Sequence, residues 1–92
     1  MTVLTAQSAG NSEKVLAELN QQLSKIAETI DAHTEVQGVV HSLNFPKSED
    51  TTWPLEFNKK LAALYQKFSW PVLGGDTSSG PELNVIVCIL TV

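Results

Sequence analysis

Between Gly10 and His33 the apolar residues Leu16, Leu19, Leu23, Ile26 and Ile30 recur at intervals of three and four. That spacing places them on one stripe of a helix. Asn11 or Ser12 supplies the oxygen that caps the first turn, Glu13 sits where the helix dipole favours an acid, and the pattern predicts a helix over 12–34. Val15 and Ala27 flank the stripe, while Lys14, Glu18, Gln21, Lys25, Glu28 and Asp31 fall on the wet side. The stripe favours a helix packed within its own chain, but the same positions also read as about two and a half heptads of a self-associating coil, with Leu16, Leu23 and Ile30 at one core position and Leu19, Ile26 and His33 at the other. Leu and Ile in that order favour trimers or tetramers over dimers. His33 would then form a polar layer on the axis, where several copies could gather an anion or a metal.

A different pattern closes the chain. Leu83 to Val92 is aliphatic or Cys apart from Asn84 and Thr91, is rich in β-branched residues, and follows the breaker Gly80-Pro81. This is a strand. Alternation puts Leu83, Val85, Val87, Ile89 and Thr91 on one face and Asn84, Ile86, Cys88, Leu90 and Val92 on the other. Both faces are greasy, so both need cover, from the chain or from a partner.

Between these two landmarks the pattern is less decisive. Val36, Val39, Val40 and Leu43 fit a helical face, yet the β-branched residues and Gly38 favour a strand over 36–43, with a bulge or a close backbone approach at Gly38. Phe45 to Asp50 reads as a polar connector. Pro54 marks a second helix start, Phe57, Leu61, Leu64 and Phe68 form its buried stripe, and Trp70-Pro71 ends it, giving 54–69. Residues 72–81, with Gly74-Gly75-Asp76-Thr77-Ser78-Ser79-Gly80, read as a mobile loop, and 1–10 as an N-terminal segment that is either an edge strand or a tail. The fold class is therefore α+β: a long N-terminal amphipathic helix, a shorter second one, and a small sheet organised around the C-terminal strand, completed within the chain or between chains. Ninety-two residues make a single domain.

Charge changes the picture by exclusion. Ten acidic residues stand against six Lys, with no Arg anywhere, for a net charge of −4. Arg supplies the bidentate grip on phosphate and on guanine edges, so its absence argues against nucleic-acid binding and against phosphoryl chemistry. No apolar run is long enough for a membrane span, and the first residues lack a secretory pattern. The single cysteine, Cys88, excludes an internal disulfide and favours a reducing compartment. It reads as a core thiol.

Candidate chemistry is sparse. His33 and His41 have no Cys or carboxylate partners at metal-site spacing, Ser78 and Ser79 have no histidine nearby, and Gly74-Gly75 precedes neither a helix nor a Lys, so no phosphate loop is expected. No enzyme, cofactor or metal is expected from these residues. The expected function is a non-enzymatic, acidic, homo-oligomeric structural or adaptor module of a larger assembly, such as a virion or other repeating particle. Its oligomer or core seam would be Leu16, Leu19, Leu23, Ile26, Ile30 and His33 with Val85, Val87 and Ile89. The alternative is a small acidic binding protein of the phage inhibitor or antitoxin type, with Trp53 and Trp70 as partner contacts. Partners would be further copies of the chain, as a trimer or larger, and other proteins of the assembly, with no nucleic acid and no membrane. The setting would be the cytoplasm, or a particle assembled there.

Overall fold

The computed structural model describes residues 1–30, 33–48 and 52–92. Expectations for Asp31 and Ala32 at the end of the first helix, and for Glu49, Asp50 and Thr51 before the second, lie outside the described residues. The elements run β1 (Thr2–Gly10), α1 (Ser12–Thr29), β2 (Val36–Pro46), α2 (Thr52–Lys67), β3 (Val72–Gly80) and β4 (Leu83–Thr91). Four strands form one mixed sheet in the order β1-β4-β2-β3, so the α+β reading organised around the final strand is what the chain adopts.

β4 lies inside the sheet because two strands claim its two edges. β1 runs antiparallel to it from Thr2↔Thr91 to Gly10↔Leu83, and β2 antiparallel on the other side from Val36↔Thr91 to Asn44↔Asn84. β3 pairs parallel to β2, the connection being the α2 crossover that a parallel pair requires.

Both helices pack on the same face of the sheet. Val15, Leu19 and Leu23 of α1 and Phe57, Leu61 and Tyr65 of α2 are buried there against Ala6, Val39, Leu43, Val85, Val87 and Ile89. Phe45 sits edge-on between Trp53 and Phe57 at centroid distances of 5.4 and 5.9 Å. Lys67 Nζ donates to Asn20 Oδ1 at 3.0 Å and ties α2 to α1.

Local chemistry explains the element ends. Asn11 Oδ1 accepts from the Lys14 N–H at 2.9 Å and starts α1. α1 is shorter than the expected 12–34. Thr29 bends its hydroxyl back onto the Ile26 carbonyl at 2.9 Å, Ile30 turns extended as the cap, and the last turn carries no basic residue for the dipole. α2 starts two residues before Pro54 and stops at Lys67. The Ser69 N–H then donates to Gln66 O at 3.0 Å and the Trp70 N–H to Tyr65 O at 3.1 Å, with Ser69 left-handed at φ 60°. That pair of bonds is a Schellman cap.

Two edges of the sheet are treated differently. On β1, the Gln22 side chain accepts from the Gln7 N–H at 2.9 Å and donates to the Gln7 carbonyl at 2.8 Å, so α1 closes that edge with a substitute for a strand. β3 has no such cover. Val72 to Ser79 are all exposed, which corrects the loop expected over 72–81: the segment is a strand, made by backbone pairing to β2 that asks nothing of the side chains. Residues 1–10 likewise hold the edge strand β1. β2 runs on to Pro46, past the expected 43. Gly38 sits at a register shift on the β4 side, and a Cβ there would stand 2.6 Å from the Pro71 carbonyl oxygen, so both the bulge and the close approach are present. Among the described residues no helix is long and apolar enough to cross a membrane.

Candidate functional site

Because both helices occupy one face, the other face of the sheet is bare. It can be laid out in rows that cross the strands in the order β1, β4, β2, β3. The first row is Ala9, Asn84, Asn44 and Ser78; the second is Gln7, Ile86, Ser42 and Asp76; the third is Thr5, Cys88, Val40 and Gly74. Val3 and Leu90 continue beyond it. One end of the face is thus polar and the other apolar.

The polar end is already networked. Ser78 Oγ donates to Asn44 Oδ1, and Gln7 Nε2 donates to Asn84 Oδ1 at 3.4 Å. Asp76 is the only carboxylate of β3, exposed beside Ser42, with the Ser78 hydroxyl two residues on along the same face. These are hard oxygen donors of the kind that Mg²⁺ prefers. Among the described residues no three His, Cys, Asp or Glu side chains gather into a metal site.

Behind the strand that carries Asp76 lies His41, on the helix face. Its Nδ1 is 3.0 Å from the Tyr65 hydroxyl, a hydrogen bond in which the phenol donates to the Nε2–H tautomer and accepts from the Nδ1–H tautomer. Burial lowers the His41 pKa below its ordinary 6.5 and raises that of the Tyr65 phenol, each favouring the neutral form. Sequence reading missed this pair because the partners are 24 residues apart on different elements. It also missed Asp76, which a loop reading had dissolved into a connector. The signal was the run of small residues around a lone carboxylate, a strand that a nearby ligand can approach closely.

The residues expected to matter scatter differently. Leu19 and Leu23 are fully buried against the sheet, with Leu16, Ile26 and Ile30 packed at its margin. His33 lies in a turn beyond the end of α1, so it cannot form an axial layer. Val85, Val87 and Ile89 face the helices and are fully buried. Trp70 is buried, stacked on Phe68 at 4.7 Å, and Trp53 is half-buried against Phe45. The two tryptophans do not share an exposed face. Cys88 is on the bare face and partly buried rather than in the core.

Neither a protein family model nor a curated protein matches this sequence. Solved structures do. Thiamine monophosphate kinase from Aquifex aeolicus matches with a TM-score of 0.71 at 13% identity, over 97% of this chain and 32% of the kinase. AaThiL complexed with AMPPCP and TMP gives 0.70 at 13% identity, over 97% and 31%. Thiamine-monophosphate kinase from Stenotrophomonas maltophilia K279a gives 0.66 at 19% identity, over 99% and 31%. The chain spans about a third of the length of the solved chains it matches. At these identities the likeness is one of fold.

That likeness overturns the expectation of a non-enzymatic particle or virion module, and its alternative of a target-inhibiting binding protein, because the solved chains that share the fold are kinases. The coiled coil falls with it: α1 spends its stripe on the sheet of its own chain. The exclusion of phosphoryl chemistry from the missing Arg was also too broad. It removes the guanidinium mode of phosphate binding and leaves the metal-bridged mode open.

Proposed function

We propose that these 92 residues form part of a phosphotransferase of the small-molecule kinase type, with the polar end of the bare sheet face holding a nucleotide's phosphates through a divalent cation on Asp76. The observation that carries this reading is the fold match to a solved kinase over 97% of the chain. Phosphoryl transfer needs little covalent help from protein. It needs positioned charge, and cations bridging carboxylate and phosphate oxygens supply much of it. Asp76 gives the carboxylate, Ser42 and Ser78 give neutral donors beside it, and the glycine at 74, on the same face with open space around it, leaves room for a large anion to come close. Guanidinium groups, which this chain lacks, would come from outside these residues.

The apolar end of the same face supports a partner. Val3 is exposed there and Val40, Ile86, Cys88 and Leu90 are partly buried, and a second copy of the chain applying its own bare face is the partner proposed. A cytoplasmic setting fits the unpaired Cys88 thiol.

Amide NMR with AMPPCP tests the assignment. Adding AMPPCP with Mg²⁺ is expected to move the amide resonances of Gly74 to Ser79 and Asn44, and Asp76→Asn is expected to remove the Mg²⁺-dependent part. Resonances of β3 that stay fixed on adding Mg²⁺ and nucleotide would overturn it.

A further inference from the structure

Gly75 stands in the row Ala6, Val87, His41 and Gly75 on the helix face, one residue before Asp76 on the bare face. A Cβ at Gly75 would run into the His41 carbonyl oxygen and stand 2.8 Å from the ring Cδ2, and the backbone there is at φ 153°. No side chain therefore separates β3 from the imidazole. The ring is fixed in turn by the Tyr65 hydroxyl at 3.0 Å, with the two rings 5.8 Å apart. Tyr65 itself is 1% exposed in the core, and its carbonyl accepts the Trp70 N–H of the α2 cap. A continuous line of contacts runs from the core of α2, through phenol and imidazole, to the strand that bears Asp76.

Resting on the reading of Asp76 as a cation–phosphate group, we propose that His41, braced by Tyr65, is a positioning residue that sets the placement of Gly75–Asp76 and hence the grip of Asp76 on its ligand. β3 needs such a device. It is an edge strand, wholly exposed, with no helix above it and Gly, Ser and Thr for most of its length, so its own side chains contribute little to its placement. A Cβ added at Gly75 would meet the imidazole Cδ2 at 2.8 Å, which sets the ring close against the strand next to Asp76 from the packed side. On the other elements around the ring, β4 presents Val87 and α2 presents the Tyr65 phenol, while Asp76 faces away on the opposite side of the sheet.

The test compares wild type with His41→Ala, His41→Asn and Tyr65→Phe, reading the amide resonances of ligand-free protein and then the Mg²⁺·AMPPCP titration of each folded variant. His41→Ala and Tyr65→Phe are expected to displace the Gly75 and Asp76 resonances without ligand and to weaken binding several-fold. His41→Asn, whose Oδ1 can accept the phenol hydrogen, is expected to hold affinity near wild type. Tyr65→Phe removes one oxygen and keeps the core filled, so it decides the matter if His41→Ala does not fold. Gly75 and Asp76 resonances unmoved in Tyr65→Phe, or His41→Asn losing as much affinity as His41→Ala, would overturn the proposal. A wild-type chain that fails to bind Mg²⁺·AMPPCP would instead defeat the assignment of Asp76, and the ligand-free resonances would then decide alone whether His41 places the strand.

Discussion

A histidine held neutral by burial makes the fold answer to pH. The His41 pKa is lowered from 6.5 in the folded chain, so the unfolded chain takes up the proton first as pH falls. The contribution is complete above about pH 6.5, the unfolded value, and is lost progressively below it until the folded value is passed. Urea unfolding at pH 7.5 and pH 5.5 is the check: wild type is expected to lose more stability between the two than His41→Asn does. Equal losses would mean that the ring titrates alike in both states. A single residue thus carries three constraints, a hydrogen bond to α2, a seat in the sheet, and the backbone of β3. None of them was legible in the sequence, where His41 is one polar letter in an alternating run.

At the level of elements, α1 and β4 were legible because their periodicity reports burial directly. Leu19, Leu23, Val85, Val87 and Ile89 are fully buried, as their positions on the 3.6 and 2.0 repeats require. Leu23→Ala is expected to cost about 2 to 5 kcal/mol, since neighbours in the sheet relax only partly into the space left. Chemical denaturation measures this, and a loss under about 1 kcal/mol would place that face in solvent. What periodicity could not report was which partner the stripe meets. The heptad reading assumed another helix, and the stripe found a sheet. β3 was illegible for a different reason. Its pattern carries no burial at all, because pairing to β2 through the backbone suffices to make it a strand, and Gly, Asp, Thr and Ser are turn formers by composition alone. The candidate site was hidden with it, since Asp76 gains meaning only when Ser42 and Asn44 are known to lie beside it and its neighbour.

For the whole molecule, the arrangement is one layer of helices on one layer of sheet, 46 Å in its longest dimension, with the second sheet face left uncovered. The requirement that a two-faced apolar strand be covered on both sides is met within the chain on one side only, where β4 buries Leu83, Val85, Val87, Ile89 and Thr91. The strand order β1-β4-β2-β3 has a kinetic consequence too. β3 and β4 are joined by a tight connection yet do not pair, and the bond from the Thr91 hydroxyl to the Thr2 carbonyl closes a separation of 89 residues. With no hairpin to nucleate it, the sheet forms late, and refolding is expected to be slow for so small a chain, in about the millisecond-to-second range of topologies dominated by distant pairings. In stopped-flow experiments Ala6→Gly in β1 is expected to speed unfolding and leave the folding rate nearly unchanged, because β1 can dock only after its partner is in place. A matching drop in the folding rate would mean that the two most distant strands meet first. If β1 does dock last, the chain spends its folding time with the inner strand exposed along one edge, a window in which the same backbone groups can recruit a neighbouring molecule, so yield on refolding should fall with concentration.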